Sequence, residues 1–368
     1  MVDKRYWIGF NLIKGIGAVR MQALIQHFGD LEVAWNAAPA DLAEASLGAK
    51  SIERILKARE TVDLDKLWER IEAEGIKILT WEDQSYPGRL KEIDQPPPVL
   101  YIRGEYLQDD LFAVAIVGTR RVTPYGRQIT QELSSYLAAN GITVISGLAR
   151  GVDAIAHQTA LKSGGRTIAI LGSGVDKIYP PEHRALAEQI MKRGAIMSDY
   201  ALGTPPDASN FPPRNRIISG LSLAVVVVEA GETSGALITA EFAAEQGREI
   251  FAVPGSILAP QSKGTNKLIQ RGALPLLNMN DLMQALDLTR VGEQKAARKV
   301  IPADETEARL MDVLGSEPLH VDEIRNQAGL PIEKVSAALA LMELKGMVRQ
   351  VGGMNYVAVR EEQSDYLA

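Results

Sequence analysis

Arginines set into glycine turns are the residues of this 368-residue chain best suited to chemistry. One turn reads Gly118-Thr119-Arg120-Arg121, and a second Ser146-Gly147-Leu148-Ala149-Arg150-Gly151-Val152-Asp153. A third reads Leu171-Gly172-Ser173-Gly174-Val175-Asp176-Lys177. Glycine lets backbone N–H groups approach an anion, and a guanidinium adds a plane of donors that matches phosphate. Asp153 is placed to accept from the amides of its own turn or to orient Arg150. A fourth stretch, Asn210-Phe211-Pro212-Pro213-Arg214-Asn215-Arg216, carries two arginines two positions apart. On a helix such side chains diverge by about 200°, so one is expected on a phosphate and the other in an ion pair within the fold. Phe211, beside two prolines, suits a stacking platform for a base or a plug in the core. Lys263 opens Lys263-Gly264-Thr265-Asn266-Lys267, which can cap a helix around a further phosphate. Several such turns on one edge suit a polyanion better than a single nucleotide.

The rest of the composition narrows the choice. There is no cysteine, hence no disulfide, thiolate metal site or cysteine nucleophile. The four histidines, His27, His157, His183 and His320, have no metal-motif spacing. His157 follows the second turn but has no adjacent nucleophile and reads as a helix-packing residue. No catalytic residue, cofactor or metal is expected. Neither the dinucleotide fingerprint nor a Walker A loop is present. Net charge is −6, yet residues 111–220 hold 12 Lys and Arg against 7 Asp and Glu. A basic patch is what phosphate binding needs, not a basic protein. The N-terminus lacks the apolar core of a signal peptide, and no run reaches the roughly 18 apolar residues of a membrane span. A cytoplasmic protein without membrane contact is expected.

The elements that must position these turns follow from periodicity. Residues 1–80 read as helical, with Met21, Leu24, Ile25 and Phe28 at helical spacing. Between the first helices, Lys14-Gly15-Ile16-Gly17 is either the phosphate-contacting hairpin of a helix-hairpin-helix or a tight turn between helices. A proline-rich connector, Gln95-Pro96-Pro97-Pro98, leads to strands at Phe112–Val117, Thr143–Ser146, Thr167–Leu171, Ala195–Ser198, Leu223–Val228 and Glu249–Val253, alternating with helices. Runs such as Ala224-Val225-Val226-Val227-Val228 are typical of strands buried on both faces, so the pattern predicts a doubly wound, mostly parallel sheet. Its ligands belong at the carboxyl ends of the strands. Residues 291–302 read as a polar linker, and 303–368 as three helices and a hairpin turning at Gly352-Gly353, the order of a winged helix. The expected divisions are therefore 1–80, 81–290, the linker and 303–368. The would-be recognition helix, 331–346, sets Lys334 and Lys345 against Glu333 and Glu343, too few cations for a strong duplex reader.

Taken together, Gly118-Thr119-Arg120, SGLARGVDAIAH at 146–157, LGSGVDKIYP at 171–180, NFPPRNRIISG at 210–220, VVVVEAGETSGALITAEFA at 225–243 and AVPGS at 252–256 resemble the DNA-processing protein A family, DprA, also called Smf. Thr119 stands where serine is common in that family. The resemblance implies an extended Rossmann-like α/β fold, with a SAM or helix-hairpin-helix domain before it and a winged helix after it. It also implies single-stranded DNA in a basic pocket, homodimerisation through the Rossmann domain, and delivery of the strand to the RecA recombinase during natural transformation. Catalysis is not implied. The rival is a Rossmann-type nucleotide or nucleoside-phosphate hydrolase carrying PGGxGT and a glutamate. Here Ala230-Gly231-Glu232-Thr233-Ser234-Gly235 replaces the double glycine, which weakens that reading.

Overall fold

The computed structural model describes residues 3–286, 305–314, 318–344 and 348–358. The chain forms two compact units, Met1–Leu288 and Thr289–Ala368.

The first unit opens with six short helices: α1 (Lys4–Asn11), α2 (Ala18–Phe28), α3 (Leu31–Asn36), α4 (Pro39–Glu44), α5 (Ala49–Thr61) and α6 (Leu64–Ala73). Asp3, Asp30 and Asp63 cap α1, α3 and α6 by accepting first-turn amide hydrogens. Residues 77–80, read from the sequence as the end of the helical segment, are instead strand β1 (Lys77–Thr80). After α7 (Gly88–Lys91), β2 (Val99–Gly104) follows the prolines. Then come β3 (Ala113–Val117), α8 (Pro124–Ala139), β4 (Thr143–Ser146), α9 (Val152–Lys162), β5 (Thr167–Ile170), α10 (Arg184–Arg193), β6 (Ala195–Ser198) and α11 (Phe211–Gly220). The unit closes with β7 (Ala224–Val227), α12 (Gly235–Glu245), β8 (Glu249–Ala252), α13 (Lys263–Gln270), β9 (Leu274–Pro275) and α14 (Met279–Ala285).

The strands form one nine-stranded sheet in the order β1-β2-β6-β5-β4-β3-β7-β8-β9. Every pair from β6 to β9 is parallel, whereas β2 runs antiparallel to β6 and β1 to β2. All six strands expected from the sequence are present, each within one residue at either end. Alternate residues of a strand point to opposite faces and feed two cores. Leu100, Ile102, Ile168, Ile170, Val225 and Val227 enter one. Tyr101, Ala169 and Ile196 enter the other, together with Trp7, Ile8, Phe10, Met21 and Leu24 of the first helices. The amino-terminal helices thus supply the layer on one face of the sheet, and no compact unit ends near residue 80.

From β3 the chain steps through β4 and β5 to β6, then returns to the far side of β3 for β7. The direction of winding therefore reverses between β3 and β7, and their carboxyl ends diverge into a crevice.

The second unit contains α15 (Glu305–Val313), β10 (Leu319–His320), α16 (Val321–Ala328), α17 (Ile332–Leu344), β11 (Val348–Gln350) and β12 (Asn355–Ala358). Its sheet has the order β10-β12-β11 over a core of Leu310, Ile324, Val335, Leu339 and Met342, the winged-helix arrangement the sequence suggested. The expected linker, 291–302, and Lys345 lie outside the described residues.

Candidate nucleic-acid interface

A cleft of about 880 Å³ opens at the reversal point. Val117–Arg121 from the end of β3 form its floor, Phe211, Arg214 and Asn215 of α11 one wall, and residues from Gly231 to Thr239 the other. Arg120 and Arg121 are exposed, and among the described residues neither forms an ion pair. The turn beneath them is fixed from behind. Thr119 N–H donates to the Glu229 carbonyl at 2.7 Å, and the Arg121 N–H donates to Thr119 Oγ1 at 3.2 Å. Glu229, itself buried, takes the Thr123 amide at 3.0 Å and also the Thr123 hydroxyl. Thr123 Oγ1 in turn caps α8 by accepting from Gly126 N–H. Two free guanidiniums are thus held on a rigid strand–helix turn.

The second turn is built differently from the sequence expectation. The amides of Gly147 and Ala149 do not face an open anion site. They donate to Asp153 Oδ2 at 3.1 and 3.2 Å, so the protein's own buried carboxylate fills the nest. Burial pushes the Asp153 carboxyl above its ordinary range, against the pull of Arg214 and these amides. Gly151 has a φ of +77°, and a Cβ there would run into the Thr119 carbonyl, so glycine is what lets the first two turns touch. Arg150 is exposed but turned to Glu182, whose carboxylate bonds its Nε and raises its pKa. Ser146 is buried, its hydroxyl donating to the Ile116 carbonyl at 2.6 Å.

Gly172, Ser173 and Gly174, expected among the phosphate contacts, are buried below the cleft rather than lining it. Ser173 Oγ donates to the Lys177 carbonyl at 2.6 Å, Gly174 N–H donates to the Thr204 carbonyl at 3.0 Å, and Gly172 lies against the Phe211 ring. The Ser173 hydroxyl and the Gly174 amide are thus spent inside the fold. Lys177 and Lys263 are exposed but stand outside the cleft lining. Gly264, next to Lys263, packs on the Ala230 carbonyl, so the start of α13 braces the turn after β7.

The two arginines of α11 diverge as their spacing requires, and neither offers a free guanidinium. Arg216 pairs with Asp199 at 2.8 Å. Arg214 is buried against the back of the cleft, donating to the carbonyls of Gly147 and Ile170. Burial, only partly offset by Asp153, pulls its pKa down to about 10. Phe211 is half-buried on the cleft wall, 5.7 Å from the Tyr179 ring centroid and 5.9 Å from the Arg214 guanidinium carbon. It lines the cleft as a half-buried ring. Asn215 lines the cleft, while the Asn210 carbonyl accepts the Tyr200 hydroxyl at 3.1 Å. His157 is fully buried, its Nδ1 2.6 Å from Thr167 Oγ1.

Sequence reasoning quoted Tyr179 and the stretch from Gly231 to Thr239 within its motifs but did not place them among the DNA contacts. The signal for that wall was present, since Gly231–Gly235 is one more glycine turn at the end of a parallel strand. Ser234 caps α12 there by accepting from Ala236 N–H at 3.3 Å. Among the described residues, no cluster of His, Asp or Glu is arranged to hold a metal ion, and no helix is long and apolar enough to cross a membrane.

Known proteins share this arrangement. The family profile described as DNA recombination-mediator protein A matches residues 77–287, and the DprA winged-helix profile matches residues 294–354. Protein Smf of Synechocystis sp. is 38% identical over 391 residues, covering 96% of this chain and 98% of its own. Protein Smf of Escherichia coli is 35% identical, with 87% of each chain covered. The X-ray structure of DNA processing protein A from Streptococcus pneumoniae superposes with a TM-score of 0.68 at 33% identity, covering 77% of this chain and 98% of that one. The Helicobacter pylori structure, described as showing a unique single-stranded DNA binding mode, gives a TM-score of 0.52 at 32% identity, covering 57% of this chain and 95% of that one. With the whole α/β region and the winged helix both matched in order, the chain belongs to the DNA recombination-mediator protein A family.

Proposed function

We propose that this protein binds single-stranded DNA along the cleft between β3 and β7, with little dependence on sequence. The observation that carries this reading is the pair of exposed guanidiniums, Arg120 and Arg121, on a braced turn beside the half-buried ring of Phe211. Guanidiniums bind the backbone whatever its sequence, and an aromatic shelf needs a base that can leave its stack, which a single strand supplies at little cost. The Helicobacter pylori relative, whose structure is described by its single-stranded DNA binding mode, supports the same assignment. Binding without turnover fits the buried carboxylates beside the cleft, because Asp153 and Glu229 are both engaged in holding backbone turns. Family membership supports the finer reading, in which a homodimer protects the strand and passes it to the RecA recombinase.

Labelled single-stranded and duplex oligonucleotides titrated side by side test the proposal. The single strand should bind more tightly. Its affinity should fall with salt along a log–log slope of about −0.7 for each phosphate neutralised. Equal affinity for the duplex at the same salt, or a flat salt response, would overturn it.

A further inference from the structure

The turn Lys14-Gly15-Ile16-Gly17 belongs to none of the machinery above, and the structure surrounds it with cations. Arg20 donates to the Gly15 carbonyl, and Arg54 donates from α5 to the Lys14 carbonyl at 2.8 Å. Both guanidinium nitrogens stand 3.1 Å from the point a Gly15 Cβ would occupy, so two positive groups converge on one turn. On α5, Lys50, Arg54 and Lys57 fall at i, i+4 and i+7, which places them on a single helix face. Lys14, Arg20, Lys50, Arg54 and Lys57 are all exposed, and among the described residues none forms an ion pair. Like charges along one face repel; Glu53 and Glu60 stand three residues after Lys50 and Lys57 on the same helix, yet among the described residues neither is drawn into an ion pair with them. The arrangement is complementary to a polyanion.

Its position relates it to the cleft. Asn11, at the end of α1, accepts from the Tyr101 hydroxyl at 3.0 Å and donates to the Asp199 carbonyl at 3.3 Å, which fixes the following turn against the sheet. Pro206 and Ala208 line the cleft, and Asp207 lies between them. The Asp199 carboxylate in turn pairs with Arg216 of α11, the helix that forms one cleft wall, so the turn is tied to that wall through Asn11 and Asp199. Ser209 holds the Asp207 carboxyl below its ordinary range, helped by the charge of Lys14. We infer that Lys14, Arg20 and the Lys50–Arg54–Lys57 face of α5 form a second phosphate-backbone site, which takes the continuation of the strand held in the cleft. This rests on the cleft reading above and extends it to a longer footprint. A side chain hydrogen-bonded to the turn's own carbonyls still has donors directed outward, so the two arginines can hold the turn and a phosphate together.

The test uses the full-length protein and oligothymidylates from about 4 to about 30 nucleotides, a range that brackets the site sizes of single-strand grooves. Wild-type affinity should rise again once the strand outgrows the cleft. Arg20→Ala/Arg54→Ala should abolish that second rise and lower the long-strand salt slope by about 0.7 for each phosphate no longer neutralised, while binding to the shortest strands is unchanged. Lys14→Ala removes a side chain with no hydrogen bond to keep and should shrink the same increment even where the double variant folds poorly. A length increment that survives both changes would overturn the second site and leave the cleft reading intact. Equal loss for the shortest and longest strands would also overturn it, by assigning the arginines to the fold. Failure of the wild type to bind at any length would instead sink the cleft reading.

Discussion

Arg120 and Arg214 carry the same group into opposite surroundings, and their substitution should separate binding from stability. Arg120 is exposed on its turn, so its guanidinium gives up only water when it meets a phosphate. Arg120→Ala should weaken oligonucleotide binding by about 1.5–3 kcal/mol, the range of a charge-assisted hydrogen bond, with the melting temperature unchanged. Arg214 is buried and already bonded to two carbonyls. Arg214→Ala leaves those acceptors and the nearby Asp153 uncompensated, and should cost at least about 2 kcal/mol of folding stability, read by denaturant unfolding. Sequence spacing correctly separated Arg214 from Arg216 but expected one of them on a phosphate, whereas both are engaged within the fold, because burial depends on what packs over α11. His157 gives a pH test. Burial, with lesser contributions from His183 and Arg214, lowers its pKa from 6.5 to about 3. The unfolded chain then binds the proton first, so stability falls as pH drops below 6.5 and continues to fall toward 3. One such group costs about 2 kcal/mol between pH 7 and pH 5. The loss of unfolding free energy across that interval should therefore be smaller by this amount in His157→Gln than in the wild type.

At the scale of elements, α8 is tied to the turn after β7 through one carboxylate. Glu229 holds both the amide and the hydroxyl of Thr123, and Gly126 leaves room for it, since a Cβ there would collide with the Glu229 carboxyl. Gly126→Ala and Glu229→Ala should each destabilise the protein. The double variant should be more stable than the sum of the two losses predicts, by at least about 0.5 kcal/mol, because the smaller side chain removes the collision. Additivity in a double-mutant cycle would show that the contact does not constrain α8. The parallel strands were legible because β-branched runs such as Ala224–Val227 have few other homes. Strand β2 was not, because it follows three prolines and reads as connector, and β9 is two residues long. The third glycine turn shows a different limit. Gly172-Ser173-Gly174 has the composition of a phosphate loop, yet the turn is buried, with the Ser173 hydroxyl given to Lys177 and the Gly174 amide to Thr204. Composition reveals a turn, whereas the destination of its hydrogen bonds depends on the fold.

At the scale of the molecule, the sequence divided the chain near residue 80 and again before residue 303, and the structure gives these boundaries different physical weight. The first compact unit runs to Leu288, ahead of the expected linker, so the chain ending there keeps every strand of the large sheet and all of the cleft. A fragment covering 1–288 should melt cooperatively and bind the single strand about as tightly as the full chain. Near residue 80 the chain instead runs directly into the sheet. Strand β1 pairs with β2 along four residues, and Trp7, Ile8 and Phe10 of α1 share a core with Tyr101, Ala169 and Ile196. Removing residues 1–80 would strip one layer from that face and expose those apolar side chains to water, along with an unpaired edge of β2. A fragment covering 81–288 should therefore lose its cooperative melt or aggregate, even though it contains every residue of the cleft. If it melts cooperatively near the temperature of the 1–288 fragment, then the helical layer contributes little to the fold, and its place in the chain is explained by the cations it carries.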